Sequence, residues 1–237
     1  MPSLKDKTVL IIGRGSGIAR AIALAVSENG GQVIAAGRHP DDLAGSYRGT
    51  DIGTEHVDVT DESSIAALAG RIGHADHVVC TASARARGGY RDLTASLVNA
   101  SFGTKVTGPV LLAKHFAGHL PPDGSFLFMS GATALKPAPG MLAVAATNAA
   151  VDALTAGLAV ELAPIRVNAI APGTIETGAY DALGDERKAA LFQARSATNP
   201  ARRIGTADDI AAAALMALTN GFLTGVSIPV DGGEHLV

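Results

Sequence analysis

The sequence has little of what several large classes of protein require. Its 237 residues include one cysteine, Cys80, which excludes an internal disulfide and a cysteine-based metal cluster. Aromatic residues make up only 4% of the chain, tryptophan is absent, and the formal net charge of -3 includes no basic stripe. A nucleic-acid binder needs a basic surface and stacking side chains, so no nucleic-acid partner is expected.

Long apolar segments and grouped histidines are also missing. The first apolar run, at residues 8–13, directly follows charged residues and is too short for a signal sequence or a membrane span. A cytoplasmic protein with no membrane partner is therefore expected. His56, His74 and His77 lack the spacing of metal ligands on one helix, so no metal is expected either.

What the chain does contain is an alternation of two kinds of segment. Short β-branched runs alternate with longer Ala-rich stretches, which is typical of βαβ units and of a parallel sheet covered on both faces. We therefore predict an α/β fold, in which residues 1–237 form a single Rossmann-type doubly wound domain with a seven-stranded parallel sheet flanked by helices. The predicted strands are Thr8–Gly13, Gln32–Gly37, Glu55–Val59, His77–Ala82, Ser125–Ser130, Arg166–Ala171 and Val226–Val230. The predicted helices are Gly17–Asn29, Asp61–Arg71, Ala100–His119, Met141–Leu162 and Ala207–Thr219.

Two segments stand out from this alternation. Residues 173–205 are too long for an ordinary connection and are expected to form an insertion that covers a substrate. The helix Met141–Leu162 is rich in alanine and apolar on more than one face, which fits a subunit interface about as well as a helix buried within its own domain.

A glycine-rich turn follows the first predicted strand and opens the first helix. Residues without Cβ atoms let backbone N–H groups and the positive end of the helix dipole approach a pyrophosphate, and the small Ala19 lets the helix lie against the sheet. Glycines also serve ordinary strand-to-helix corners, but the order of strand, turn and helix favours dinucleotide binding. The turn comprises Gly13, Arg14, Gly15, Ser16, Gly17 and Ile18.

The end of the second predicted strand bears on which dinucleotide is bound. An acidic residue at this place accepts hydrogen bonds from the ribose 2′-hydroxyl of NAD, but here Gly37 is followed by Arg38. A guanidinium pairs with a phosphate through two parallel hydrogen bonds, so Arg38, with Arg14 as a second positive charge, predicts NADP(H). Either arginine alone would equally well be a solvated surface residue.

From about Lys7 to Gly233 the sequence resembles the short-chain dehydrogenase/reductase family. The resemblance rests on the glycine turn, on Asp58-Val59 after the third strand, on the run from Arg166 through Pro172-Gly173 to Thr177, and on the ending Leu223 to Gly233. It implies a small-molecule substrate, a homodimer or homotetramer, and hydride transfer. It also implies further cofactor contacts at Asp58, Val59, Thr81, Ala82, Pro172, Gly173, Ile175 and Thr177.

The catalytic residues of that family are not found at the matching positions. The family has a tyrosine acid, a lysine four residues later, a serine and an asparagine. The matching positions here hold Val144, Asn148, Gly131 and Lys105, with Ser130 just before the serine position. No tyrosine in the chain is followed by lysine at that spacing, so the usual acid is absent.

Lysine and asparagine have thus exchanged positions, which suggests compensation. We hypothesise an NADPH-dependent reductase of a carbonyl, imine or enone, in which Lys105 supplies the proton directly or through water and Asn148 or Ser130 holds the acceptor. The apolar Val144 and the small Gly131 favour an apolar substrate. An ordinary solvated lysine remains an open interpretation of Lys105.

Other interpretations stay open. The protein could bind NADP(H) without turnover, as a sensor or an inactive partner subunit, or catalyse a reaction that needs no tyrosine acid, such as reduction of a cationic imine or a non-redox elimination. Tyr90 or Tyr180 could approach the site as a replacement acid. Cys80 is more simply a small core residue than a nucleophile.

Overall fold

The computed structural model describes residues 3–237 and contains one large sheet of seven strands, all parallel. Its strand order is β3-β2-β1-β4-β5-β6-β9, and two short strands, β7 and β8, pair separately. The strands are β1 Thr8–Ile12, β2 Gln32–Gly37, β3 Gly53–His56, β4 His77–Cys80, β5 Ser125–Met129, β6 Arg166–Pro172, β7 Ile175–Glu176, β8 Gly205–Thr206 and β9 Ser227–Val230. The predicted α/β class, with a seven-stranded parallel sheet flanked by helices, is confirmed.

Eight α-helices occur in the described part of the chain. They are α1 Gly17–Glu28, α2 Pro40–Ser46, α3 Glu62–Ile72, α4 Ala95–Phe102, α5 Gly108–Phe116, α6 Leu142–Glu161, α7 Asp185–Thr198 and α8 Ala207–Thr219. Local side chains fix some helix starts: Asp61 accepts a hydrogen bond from the Ser63 amide, and Thr206 and Asp209 cap α8 reciprocally.

The sheet is buried on both faces because successive side chains of each strand enter different cores. On β1, Val9 and Ile11 belong to the cluster covered by α1 and α8, whereas Leu10 and Ile12 belong to the cluster covered by α3, α5 and α6. Both clusters are composed of buried apolar side chains, most of them aliphatic, which explains why the strands read as continuous apolar runs.

The largest differences from the predictions are one displaced strand, one helix with an earlier start and a π-helical turn, and two helices that were not predicted. The third strand is Gly53–His56 rather than Glu55–Val59, and the helix predicted for Ala100–His119 begins at Ala95 and contains a π-helical turn at Gly103–Thr107. Helix α2 was not predicted, because only Leu43 in its seven residues is buried. Helix α7, within residues 173–205, was not predicted because it buries no residue and so has no apolar stripe.

Helix α6 is long and apolar enough to cross a membrane by length and composition alone. In the fold it packs along β6 and β5, with Ala143, Val144 and Val151 buried. A core helix of this kind passes the same composition test, so this feature is weak evidence for a membrane span.

The strand order reverses beside β1, which lies between β2 and β4. Connections from neighbouring strands leave in opposite directions at such a point, and the carboxyl ends of the strands open a crevice there. The glycine turn after β1, the segment after β4 and the end of β2 therefore all border the same crevice.

Candidate active site

The glycine turn after β1 lies in close contact with the segment after β4. A Cβ atom on Gly13 would lie 2.2 Å from the Thr81 hydroxyl oxygen, and Gly17 has a φ of +56°. The Thr81 amide donates to the Ile12 carbonyl at 2.8 Å, which holds the two segments together. Only residues without side chains fit these two turn positions, as the sequence predicted.

The N-terminus of α1 is open to an anion. Ser16 precedes the helix in an extended conformation, and its side chain makes no capping hydrogen bond. The first amides of the helix are therefore free to bind phosphate oxygens together with the helix dipole. A Cβ on Gly15 would lie 2.5 Å from the Ser46 hydroxyl, so this turn also has no room for a side chain. The turn fits the pyrophosphate of a dinucleotide.

Arg38 and Asp58 are neighbours at the ends of β2 and β3. Asp58 Oδ1 accepts hydrogen bonds from the Thr60 hydroxyl at 2.7 Å and the Thr60 amide at 2.9 Å. These bonds, followed by the positive charge of Arg38, lower the pKa of the Asp58 carboxyl. Arg38 itself forms no ion pair within residues 3–237, so its guanidinium is available to a phosphate.

The segment after β6 returns to the glycine turn. Thr177 lies against Gly17, because a Cβ there would be 3.3 Å from the Thr177 Cβ. Thr174 is fixed at the base of the segment by Glu234, which accepts from its amide at 2.7 Å and from its hydroxyl at 3.1 Å. Ile175 is buried and begins β7, which pairs with β8. The structure thus brings this predicted cofactor segment to the crevice.

Lys105 lies at the centre of the π-helical turn and is only 7% exposed. Its ammonium donates to the Ser130 carbonyl at 3.0 Å and to the side-chain oxygen of Asn148. A π-turn inserts an extra residue into a helix and often marks a functional position. The alternative interpretation of Lys105 as an ordinary solvated lysine is therefore wrong.

Asn148 joins Lys105 to the hydroxyl of Thr133, which was not among the predicted site residues. Its Nδ2 donates to the Thr133 hydroxyl oxygen at 2.7 Å. Since that oxygen already accepts a hydrogen bond, the Thr133 O–H proton remains available to another acceptor. The sequence does show a hydroxyl residue two positions after Gly131. Residues 131–140 have no periodic pattern, however, so the direction of the Thr133 side chain could not be predicted.

Ser130 and Gly131 have different parts in this arrangement. The Ser130 hydroxyl donates to the backbone carbonyl of Asn148 at 3.1 Å, so it is engaged with α6. A Cβ on Gly131 would lie 2.6 Å from Asn148 Nδ2. The amide of Asn148 therefore occupies space that a serine at position 131 would need.

The electrostatics of the Lys105 site suit proton transfer near neutral pH. Burial, followed by the positive charge of Arg85, lowers the pKa of Lys105 to about 7. An amine with a pKa near the working pH is present in both protonation states and can serve as acid or base. Burial raises the pKa of Cys80 to about 11, which leaves it protonated and a poor nucleophile.

The alternative tyrosines are placed differently. Tyr90 is 70% exposed, whereas the Tyr180 ring packs edge-on against Phe192, with ring centroids 5.5 Å apart. Val144, at the family's tyrosine position, is buried on α6. Among residues 3–237 no three His, Cys, Asp or Glu side chains are grouped so that they could hold a metal ion.

Comparisons with known proteins identify the family and the fold. The family described as enoyl-(acyl carrier protein) reductase matches residues 12–235. The short-chain dehydrogenase/reductase ucsE of Acremonium sp is 31% identical, over 98% of this chain and 96% of its own length.

Two solved structures are similar over nearly the whole chain. A small-chain dehydrogenase in complex with NADPH is 34% identical with a TM-score of 0.84, covering 98% of this chain and 99% of that chain. The MalC reductase/Diels-Alderase of Malbranchea aurantiaca is 28% identical with a TM-score of 0.92, covering 99% and 98%. This chain, with its glycine turn, its parallel sheet and its crevice beside β1, belongs to the short-chain dehydrogenase/reductase family of oxidoreductases.

Proposed function

We propose that this protein is an NADPH-dependent reductase that transfers a hydride to a carbonyl, imine or enone and uses Lys105 in place of a tyrosine as the source of the proton. The observation that carries the proposal is the contact of the buried Lys105 ammonium with Asn148, which in turn holds Thr133. Burying a charged lysine side chain costs free energy unless the ammonium has hydrogen-bond partners, so a lysine buried to this extent indicates a functional role.

The cofactor assignment is supported by the residues around the crevice. The glycine turn and the start of α1 would hold the pyrophosphate, and Arg38 would pair with the 2′-phosphate of NADP(H). Arg14 adds positive charge at the turn. The related dehydrogenase in complex with NADPH has the same fold over almost its whole length. The remaining contacts assigned to the cofactor are Asp58, Val59, Thr81, Ala82, Pro172, Gly173, Ile175 and Thr177.

When bound, the nicotinamide supplies the hydride. The Thr133 hydroxyl donates a hydrogen bond to the acceptor atom and orients it, while Asn148 fixes that hydroxyl. Protonated Lys105 gives up a proton, directly or through a water molecule, to the atom on which negative charge develops. The neutral amine then takes a proton from solvent. The apolar Val144 and the small Gly131 leave room for an apolar part of the substrate beside these groups.

The segment 173–205 serves in this proposal as a cover for the substrate. Its short 3₁₀ turn at Gly178–Leu183 and helix α7 follow Thr177 directly, and α7 buries none of its residues within the chain. An element with so few internal contacts has a low cost of local displacement, which suits a cover that admits and releases ligands.

Self-association through α6 is part of the proposal. Two apolar side chains of this helix are exposed to solvent: Leu142 is 59% exposed and Val160 is 80% exposed. Contact between copies would bury these side chains in a homodimer or homotetramer. A cytoplasmic location remains a prediction from the sequence.

A second candidate is an NADP(H)-binding protein without turnover. The observation in its favour is that both Lys105 and Ser130 have hydrogen-bond partners within the protein. A group with its bonds satisfied internally must break one of them to reach a substrate.

Calorimetric titration with NADPH and NADH, followed by an NADPH-oxidation screen over ketones, imines and enones, separates the candidates. The proposed reductase binds NADPH more tightly than NADH and oxidises it with at least one acceptor class. Binding without turnover would instead identify the second candidate, and absence of binding would contradict both.

A further inference from the structure

The segment after β4 carries two arginines to the mouth of the crevice. Its backbone is held at two points: the Ser101 hydroxyl donates to the Ala84 carbonyl at 2.7 Å, and the Gly88 amide donates to the Gly140 carbonyl at 3.0 Å. Ala86 between these points is buried. Arg85 and Arg87 flank it and therefore project from a fixed piece of backbone beside the switch point.

These arginines face the other walls of the crevice. The Arg87 guanidinium carbon lies 5.5 Å from the centre of the Tyr180 ring, in the segment that follows Thr177. Arg85 remains exposed, but partial loss of hydration, followed by the positive charges of Arg87 and Arg14, lowers its pKa. The positive charge of Arg85 also lowers the pKa of Lys105. Arg14, Arg85 and Arg87 thus form a cationic cluster, and Lys105 lies beside it, four residues after the Ser101 that holds Ala84.

This cluster has no acidic partner in residues 3–237. None of Arg14, Arg85 and Arg87 forms an ion pair with a carboxylate there. Other arginines do find partners: Arg71 pairs with Glu55, and Arg203 pairs with Asp209 through two nitrogens. Arg14 faces the phosphates of the cofactor in the proposed complex, whereas Arg85 and Arg87 have no carboxylate partner and repel each other until another anion binds.

We propose that the substrate carries an oxyanion, a carboxylate or a phosphate monoester, which Arg85 binds with help from Arg87 while the group to be reduced lies at Thr133 and Lys105. The proposal rests on the reductase function proposed above and adds the substrate class to it. A guanidinium presents two parallel N–H donors that match the two oxygens of either anion.

The charge distribution also selects among acceptors. A cationic imine would be repelled by the same cluster, so an anionic ketone or enone fits the crevice better. The apolar surface at Val144 and Gly131 then contacts the carbon skeleton between the anion and the group to be reduced. An oxo acid with an apolar body satisfies both regions.

Matched pairs of compounds test the proposal. NADPH oxidation is measured with 4-oxopentanoate and 4-oxo-4-phenylbutanoate against their methyl esters, and with dihydroxyacetone phosphate against dihydroxyacetone. Each pair shares one ketone and differs in one anionic group, which is a carboxylate of charge -1 or a phosphate monoester of about -1.5 to -2 at pH 7. The enzymes are the wild type, Arg85→Gln and the control Arg91→Gln, whose guanidinium lies over the exposed Tyr90 ring in the same segment.

We expect the wild type and Arg91→Gln to prefer at least one anion over its neutral partner by about tenfold to a hundredfold in kcat/KM. Arg85→Gln should lose that preference and keep its affinity for NADPH. The carboxylate and phosphate pairs distinguish the two oxyanions. Equal kcat/KM of the wild type for the anionic and the neutral member of every pair would overturn the proposal. A variant Arg85→Gln that binds NADPH more weakly but still prefers the anionic ketone would overturn it as well.

A separate measurement distinguishes failure of the proposed reductase function from failure of the oxyanion site. If NADPH binds but no compound is reduced, the same pairs are titrated by calorimetry into the NADPH complex. Binding of an anion but not of its neutral partner, lost in Arg85→Gln, would support the oxyanion site while contradicting turnover. Absence of selective anion binding would overturn the oxyanion site itself.

Discussion

Lys105 donates a hydrogen bond to the side-chain oxygen of Asn148, so the two positions at which lysine and asparagine have been exchanged are in direct contact. Because positions 105 and 148 are in contact, an ammonium and an amide meet in this region whether the lysine stands at position 105 or at position 148. The contact explains how one site tolerates the exchange, and it places a buried ionisable amine in a site whose family tyrosine position holds Val144.

The pH dependence of reduction should report Lys105. Its pKa is lowered to about 7, and an acid must be protonated to act, so kcat/KM should fall as pH rises through about 7. Arg85→Gln removes a positive charge that lowers this pKa, so the fall should move to higher pH. Profiles between pH 6 and 9 for both proteins check this, and identical flat profiles would contradict it.

Gly131→Ala should damage the site without straining the backbone. Gly131 has a φ of 170°, which any residue adopts, but the added Cβ would lie 2.6 Å from Asn148 Nδ2. Displacing that amide breaks its bond to Thr133, and we expect kcat to fall by about tenfold or more. NADPH oxidation measures the loss, and circular dichroism confirms the fold.

Gly70→Ala is the matched control for this variant. Gly70 lies on α3, away from the proposed subunit contact, and an added Cβ would have no heavy atom within 4 Å. Alanine should raise the free energy of unfolding by up to about 1 kcal/mol through helix propensity and leave kcat unchanged. An equal loss of kcat in both variants would show that Gly131 has no special relation to Asn148.

Much of the fold could be predicted because the burial pattern is simple. Strands such as β1 and β5 are continuous apolar runs with both faces buried, and the sequence displays this directly. The exposed helix α7 and the short α2 have no such stripe. The π-turn at Lys105 leaves no periodic signature either, because it shifts the helix by one residue within a buried region.

Site residues that are required by backbone geometry could be predicted from the sequence. Site residues whose role depends on the direction of a side chain could not. The need for glycine at positions 13 and 17 follows from turn geometry. That Lys105 and Asn148 meet was inferred only from their exchanged positions. Thr133 and Arg85 lie in irregular segments, and whether such side chains face the crevice is decided by tertiary contacts rather than by local sequence.

Arg38→Gln should change the choice of cofactor. Its guanidinium has no carboxylate ion pair among the described residues, so its loss should weaken NADPH binding by about tenfold to a hundredfold and leave NADH binding nearly unchanged. Calorimetric titration with both nucleotides measures this. Equal weakening of both would place Arg38 away from the 2′-phosphate, and Arg91→Gln is the charge-matched control.

His77 should make the protein sensitive to mild acid. Burial, followed by the positive charge of Arg166, lowers its pKa from 6.5 to about 4. The unfolded chain therefore binds a proton that the folded chain does not between these pH values, so stability is full above pH 6.5 and falls as pH drops toward 4. The contribution amounts to about 3 kcal/mol.

Urea unfolding of His77→Asn at several pH values isolates this contribution. The asparagine amide can replace Nδ1 as the partner of the Ser125 hydroxyl, which lies 2.9 Å from it. The decline between pH 6.5 and 4 should become shallower in this variant. His56→Asn, at an exposed histidine with no ion pair among the described residues, should keep the wild-type decline. A wild-type slope in His77→Asn would show that another group is responsible.

The central claim, that Lys105 supplies the proton for reduction, is tested most directly by NADPH oxidation with Lys105→Ala, measured beside NADPH affinity. Lys136→Ala, at an exposed lysine, is the control. We predict that Lys105→Ala binds NADPH but loses about a hundredfold or more in kcat, whereas Lys136→Ala matches the wild type. Full activity of Lys105→Ala with the acceptor that the wild type reduces would contradict the claim.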